Sequence, residues 1–155
     1  MPTTAQTLSV LLANQQSRLR HALKDLPAEL FTKQPGGDCN GIREICSHLV
    51  RLRAFQMMLI GSPLADEAPS KDGIKDAADA IERLEKTVPL LESAIGDVPD
   101  GDWLRVLSPP PLAEKWPTEN QLARLSKPFN DFTNHIGGIR AIRRILGSPV
   151  ETTQD

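Results

Sequence analysis

The segment from Ile74 to Gly96, IKDAADAIERLEKTVPLLESAIG, decides the fold class of this chain. Its apolar residues recur at alternating spacings of three and four, which is the period of a helix with one buried face. These residues are Ile74, Ala77, Ile81, Leu84, Val88, Leu91 and Ile95. Gly96 ends the pattern, and Pro89 is expected to kink the helix because proline removes a backbone donor. The segment therefore predicts one long amphipathic helix.

Three further segments carry the same helical period. Two of them lie before this helix in the sequence, and the third lies near the end of the chain. Polar residues that can accept hydrogen bonds from free backbone N–H groups mark their starts. The expected starts are the capping box Thr3-Thr4-Ala5-Gln6, Asn40, and Thr118-Glu119-Asn120-Gln121, and the expected ends are about Leu26, Gly61 and Gly147. The last helix is expected to bend at Pro128.

The chain between Asp97 and Pro117 has no stable period and contains five of the thirteen prolines and both tryptophans, Trp103 and Trp116. The two indoles either plug one end of a bundle or form the wall of a binding pocket. We therefore expect an all-α four-helix bundle with a long irregular crossover between the third and fourth helices. It forms a single domain over residues 1–150, followed by a disordered polar tail at 151–155.

Composition limits the classes of function. The formal net charge of −2 gives no basic field of the kind that attracts nucleic acid or an anionic membrane, so neither is an expected partner. The longest apolar run, Met57 to Ile60, is too short to cross a bilayer. Two cysteines are too few for a disulfide framework, and the N-terminus has no signal-peptide character. We expect a cytoplasmic protein.

The most informative polar residues are Asp131 and His135, together with the distant His48. Residues four apart lie on the same face of a helix, so Asp131 and His135 present a carboxylate and an imidazole to one point. His48 falls within the apolar stripe of the second helix and should face inward. The three side chains together would form a two-histidine, one-carboxylate site for a divalent metal. Two alternatives remain open: a hydrogen-bonded core histidine and a surface Asp–His pair.

Other polar residues have simpler interpretations. The last helix carries Arg140, Arg143 and Arg144, which either complement its dipole and solvate its outer face or form an anion-binding patch. The arginines of the second helix allow the same two interpretations; they are Arg43, Arg51 and Arg53. Cys46 is expected to be a small core residue rather than a nucleophile, and His21 to cap a helix or face solvent.

The order of these motifs resembles the DinB-like (DinB/YfiT) superfamily of metal-dependent helical bundles. The resemblance rests on NGIREICSHL at residues 40–49, on DFTNHIGG at residues 131–138, and on RRILGSP at residues 143–149. In that family, one histidine of the second helix and a His-x-x-x-His pair of the fourth commonly bind Zn²⁺ or Ni²⁺ and leave positions open for water. The resemblance implies that His48 and His135 are ligands and that Asp131 replaces the first histidine of the pair.

This replacement has chemical consequences. A carboxylate is a harder, negatively charged ligand, so Mn²⁺ and Fe²⁺ become more competitive with Zn²⁺ and Ni²⁺. Gly138 stands where a glutamine often follows the last ligand, which removes an amide that could hydrogen-bond a ligand.

The family resemblance also bears on activity. It implies an enzyme acting on a small molecule, either a transferase or isomerase that uses a low-molecular-weight thiol or a hydrolase that uses metal-bound water, and a homodimer. The alternative is a non-catalytic, stress-associated bundle that binds metal or ligand through a degenerate site.

Overall fold

The computed structural model describes residues 1–106 and 120–150, and within these ranges the secondary structure consists of helices joined by turns and loops, with no strand. Its five α-helices are α1 Thr4–Leu23, α2 Ala28–Phe31, α3 Ile42–Leu59, α4 Ala77–Gly96 and α5 Gln121–Ile145. Two short 3₁₀ turns, Pro63–Glu67 and Asp100–Asp102, lie in the connections. The four long helices confirm the all-α bundle, while the short α2 was not predicted from the sequence.

Local hydrogen bonds explain where the helices begin. The capping box is confirmed: Gln6 N donates to Thr3 Oγ1 at 3.2 Å, and Thr3 N donates to Gln6 Oε1 at 2.8 Å. In α4 the cap is Asp76, which accepts from Asp79 N at 2.8 Å, so the helix starts after Ile74 rather than at it. Asn120 caps α5 through a 2.8 Å bond from Ala123 N, and Thr118 lies outside the described residues.

The predicted start of α3 and the predicted end of α1 were wrong. α3 is capped by Gly41 and not by Asn40, and no side chain hydrogen-bonds this helix start. A Cβ at Gly41 would lie 2.7 Å from Glu44 Oε2, the movable end of a side chain, and 3.1 Å from the backbone oxygen of Lys33, so a larger residue there would require both neighbours to shift. α1 ends at Leu23 rather than near Leu26, because Asp25 adopts a left-handed φ of 50°.

The helix directions follow from long-range contacts. Gln15 of α1 donates to Phe129 O of α5 at 2.6 Å, whereas Ala22 O, later in α1, accepts from Arg143, later in α5. α1 and α5 therefore run in the same direction. α3 packs against both α4 and α5, as α1 does. α3 runs antiparallel to α5, since residues near the start of α3 meet residues near the end of α5, as Ile45 meets Gly138.

Two apolar clusters fill the bundle. The first includes Leu19, Ile45, Cys46, Leu49, Leu84, Phe132, Ile136 and Ile139. The second includes Leu8, Leu12, Met57, Leu91, Ile95, Trp103, Leu125 and Phe129. Pro89 and Pro128 lie inside α4 and α5, and both helices continue past them. No helix within the described ranges is long and apolar enough to cross a membrane.

The predicted tail at 151–155 and most of the predicted crossover, including Trp116, lie outside the described residues. Trp103 is within them and only 1% exposed, buried in the second cluster as one of its largest side chains.

Candidate metal centre

The three predicted site residues meet where α3 packs against α5. α3 supplies His48, and α5 supplies Asp131 and His135, one turn apart on the same face. Each neighbours residues of the first apolar cluster: Leu49 follows His48, Phe132 follows Asp131 and Ile136 follows His135. This packing fixes the backbone of both helices and holds the three side chains at the edge of the core.

The ligand atoms of the three side chains lie close together. His48 Nε2 is 3.3 Å from Asp131 Oδ2, and His135 Nε2 is 3.4 Å from Asp131 Oδ1. The two imidazole rings meet edge to face, with their centroids 4.5 Å apart. Three ligand atoms, one from each of these residues, all lie within 4.8 Å of one another. The carboxylate thus lies between two imidazoles.

This donor set fits a divalent metal. Ligand distances of about 2.0–2.2 Å place neighbouring donors of a tetrahedral site roughly 3.3–3.6 Å apart. The two imidazole-to-carboxylate separations, 3.3 and 3.4 Å, are of that size, each to a different oxygen of Asp131. Two imidazole nitrogens and one carboxylate oxygen suit first-row transition metals. The side chains are 29%, 47% and 30% exposed for His48, Asp131 and His135, so the site is open to solvent on one side. Among the described residues, no other group of this kind is present.

The electrostatics favour a neutral His135. Burial lowers the pKa of its imidazole, the Asp131 carboxylate opposes that shift, and His48 adds a smaller lowering, so that the pKa lies below its ordinary value. A neutral imidazole is the form that binds metal, because its nitrogen lone pair is available.

Arg51 lies next to the site. From the sequence it was expected, like the other arginines of the second helix, to lie at the surface. Its Nη2 lies 3.1 Å from His48 Nδ1, on the side of the ring away from Asp131. A spacing of three residues on one helix brings such side chains together, so this contact could have been expected from the sequence.

A cavity of about 230 Å³ lies beside the site, with Asp131 in its wall. α3 contributes apolar side chains to it and α5 contributes mainly polar or basic ones; the lining residues are Leu52, Phe55, Leu59, Arg124, Lys127, Pro128 and Asp131. Trp103 is not among them, and its position in the core agrees with the plug interpretation rather than the pocket-wall one.

Two arginines predicted to be surface residues are buried instead. Arg53 is 0% exposed; its Nη1 donates to Gln15 Oε1 at 3.2 Å and to Gln56 Oε1 at 2.9 Å. Its guanidinium carbon lies 3.8 Å from the centre of the Phe132 ring. Burial lowers the pKa of Arg53 to about 9, which leaves it charged at neutral pH. The two amide oxygens and the aromatic ring beside it offset part of the cost of burying this charge, while its Nε and Nη2 have no hydrogen-bond partner among the described residues.

Arg143 is the second buried arginine, at 3% exposure, where it bonds to backbone oxygens rather than forming an anion-binding patch. Arg144 next to it is exposed, and Arg140 Nη2 lies 3.4 Å from His21 Nδ1. His21 thus contacts another helix rather than only solvent. Cys46 is a buried core residue as predicted, and burial raises the pKa of its thiol to about 12.

Comparison of the chain with known proteins identifies its family. A family model described as the DinB superfamily matches residues 11–126. The chain belongs to the DinB superfamily. The matched span of this DinB-superfamily chain includes His48 and ends before Asp131 and His135, so the grouping of all three rests on the geometry described above.

The fold agrees with that membership. A crystal structure of a conserved protein from Enterococcus faecalis superposes on this chain with a TM-score of 0.70, covering 95% of this chain and 99% of the other. The sequence identity is 16%, so this similarity concerns the fold alone. No curated protein matches the chain.

Proposed function

We propose that this DinB-superfamily protein holds one divalent metal through His48, Asp131 and His135 and uses it in catalysis on a small molecule. The observation that carries the proposal is the convergence of three ligand atoms, from two packed helices, within 4.8 Å of one another. A bound divalent metal would supply Lewis acidity that lowers the pKa of a thiol or of water, and so provides a nucleophile at neutral pH.

The protein's own groups have distinct roles in this proposal. His135 and His48 supply nitrogen donors, and the lowered pKa of His135 keeps that donor unprotonated near neutral pH. Asp131 supplies a negative charge that attracts the cation and favours harder metals than a third histidine would. Three protein ligands leave further coordination positions open, as in catalytic sites. Zn²⁺, Ni²⁺, Mn²⁺ and Fe²⁺ are all candidates for this donor set.

The adjoining cavity supports catalysis over a purely structural role. If the site only stabilised the bundle, apolar side chains would be expected to fill the space beside Asp131. Instead a cavity of about 230 Å³ lies there, apolar where α3 lines it. This volume is below the roughly 300–1,000 Å³ of usual ligand pockets, so it has room only for a very small substrate or for the reactive end of a low-molecular-weight thiol.

An activity screen tests this proposal. Protein reconstituted with each candidate metal would be assayed with low-molecular-weight thiols and electrophilic acceptors, and separately with small esters and amides. We expect metal-dependent turnover in one of the two panels, lost on chelation and in His48→Ala. Full metal occupancy without turnover in either panel would favour the non-catalytic metal-binding alternative.

A further inference from the structure

The hydrogen bond between Arg51 and His48 has a fixed polarity. A guanidinium has only N–H donors and no acceptor, so Arg51 Nη2 must donate across the 3.1 Å separation to His48 Nδ1. A neutral imidazole that accepts at Nδ1 carries its single proton on Nε2. That N–H then points at Asp131 Oδ2, 3.3 Å away, which is an acceptor. Each of the two hydrogen bonds, from Arg51 to His48 and from His48 to Asp131, therefore has one donor and one acceptor.

This tautomer is the wrong one for metal binding through Nε2. The metal needs the Nε2 lone pair, so the imidazole proton must move to Nδ1. An N–H on Nδ1 would then face the N–H of Arg51 at hydrogen-bond distance, with no acceptor between them. Ligating histidines ordinarily donate their second N–H to a carboxylate, a carbonyl or water, and a guanidinium can be none of these.

We propose that Arg51 opposes metal binding by holding His48 in the tautomer that cannot ligate through Nε2, so that the guanidinium must leave Nδ1 before a metal is bound. This inference rests on the proposed function, because it concerns the same metal site. Arg51 is exposed and can swing into solvent, so the opposition can be overcome. The contact between Arg51 and His48 lowers the affinity of the site for every metal by the same factor. The metals that bind most weakly therefore stay unbound at a given metal concentration.

Dissociation constants for Zn²⁺ and Ni²⁺, measured by competition with a chelating dye, test the proposal. Arg51→Gln replaces the donor with a side chain whose carbonyl can accept from Nδ1–H, and we expect binding that is severalfold to about tenfold tighter, because the contact that is removed is exposed to solvent. Arg51→Lys keeps a donor and the positive charge and should resemble wild type. Arg43→Gln is the matched control, since Arg43 lies on the same helix but pairs with Glu44.

A spectroscopic readout separates the tautomer from a simple effect of charge. Long-range ¹H–¹⁵N spectra of the metal-free protein, recorded where imidazole is neutral, should show the His48 proton on Nε2 in wild type and a shift of population to Nδ1 in Arg51→Gln. Equal, measurable dissociation constants in wild type and Arg51→Gln would refute the inference about Arg51 and leave the proposed metal site unaffected. Absence of metal binding in every variant would refute the proposed function and this inference together.

Discussion

Arg143 offers the sharpest test of how the bundle is held together. Its Nη1 donates to Ala22 O at 2.9 Å and to Lys24 O at 2.7 Å, where α1 ends. Its Nε and Nη2 donate to Ser148 O at 2.8 Å and Ser148 Oγ at 3.2 Å, just beyond α5. One buried guanidinium therefore satisfies carbonyl oxygens at two parallel helix ends, where the helix dipoles also favour positive charge.

The perturbation is Arg143→Met, which keeps an unbranched side chain of about the length of the arginine stem and removes every donor. Four hydrogen bonds from a charged group would sum to more than about 6 kcal/mol if each contributed about 1.5–3 kcal/mol. Methionine also removes the cost of burying a guanidinium that has no carboxylate among these partners, which offsets part of that sum. We expect a loss of about 3 kcal/mol in the free energy of unfolding, or roughly 6–12 °C in Tm for a chain of this size.

Urea denaturation followed by circular dichroism measures this loss, with an unchanged slope showing that the unfolded state is comparable. Arg144→Met is the matched control, because Arg144 lies in the same last turn but is exposed; it should change stability by no more than about 0.5 kcal/mol. Equal losses in the two variants would show that the bonds to the α1 carbonyls contribute nothing and would refute the capping argument.

Three further predictions concern the thiols, the ligand set and the assembly. An alkylating reagent should modify exposed Cys39 and leave buried Cys46 unmodified until the protein unfolds, because burial raises the pKa of the Cys46 thiol to about 12; mass spectrometry of the native protein showing Cys46 modified first would contradict this. Asp131→His should shift metal preference from Mn²⁺ towards Zn²⁺ and Ni²⁺ in competition titrations, since imidazole is the softer ligand, and an unchanged preference would remove Asp131 from the ligand set. The family resemblance implies a homodimer, so light scattering should return twice the mass of the 17.0 kDa monomer. A monomer mass across a wide concentration range would exclude the homodimer.

Much of the fold follows from local pattern. The apolar period of α4, the capping box at Thr3 and the inward phase of α3 depend only on residues close in sequence, and the structure confirms each of them. The cap of α3 could not be found in this way. The close approach of Lys33 O and Glu44 to Gly41 at this cap is a property of the folded chain.

The grouping of His48 with Asp131 and His135 was also predictable, because residue type, helical phase and spacing all agreed. The buried arginines were not. Arginine is a residue type expected at the surface, and some of the groups that stabilise Arg53 and Arg143 in the core, Gln15 and the Ala22 carbonyl, come from α1, far away in sequence. The contact between Arg51 and His48 was within reach, since it joins residues three apart on one helix.

Metal content is the most direct test of the central claim. Wild type, His135→Ala and Asp131→Ala would be purified without a histidine tag, reconstituted with Zn²⁺ or Ni²⁺, desalted and analysed by inductively coupled plasma mass spectrometry. Arg144→Met, which leaves the three ligands intact, would control for folding and non-specific binding. The account predicts one tightly held ion per wild-type and Arg144→Met chain and a large loss in both ligand variants, because two donors hold an ion far less firmly than three. Equal stoichiometry in wild type and His135→Ala would contradict it.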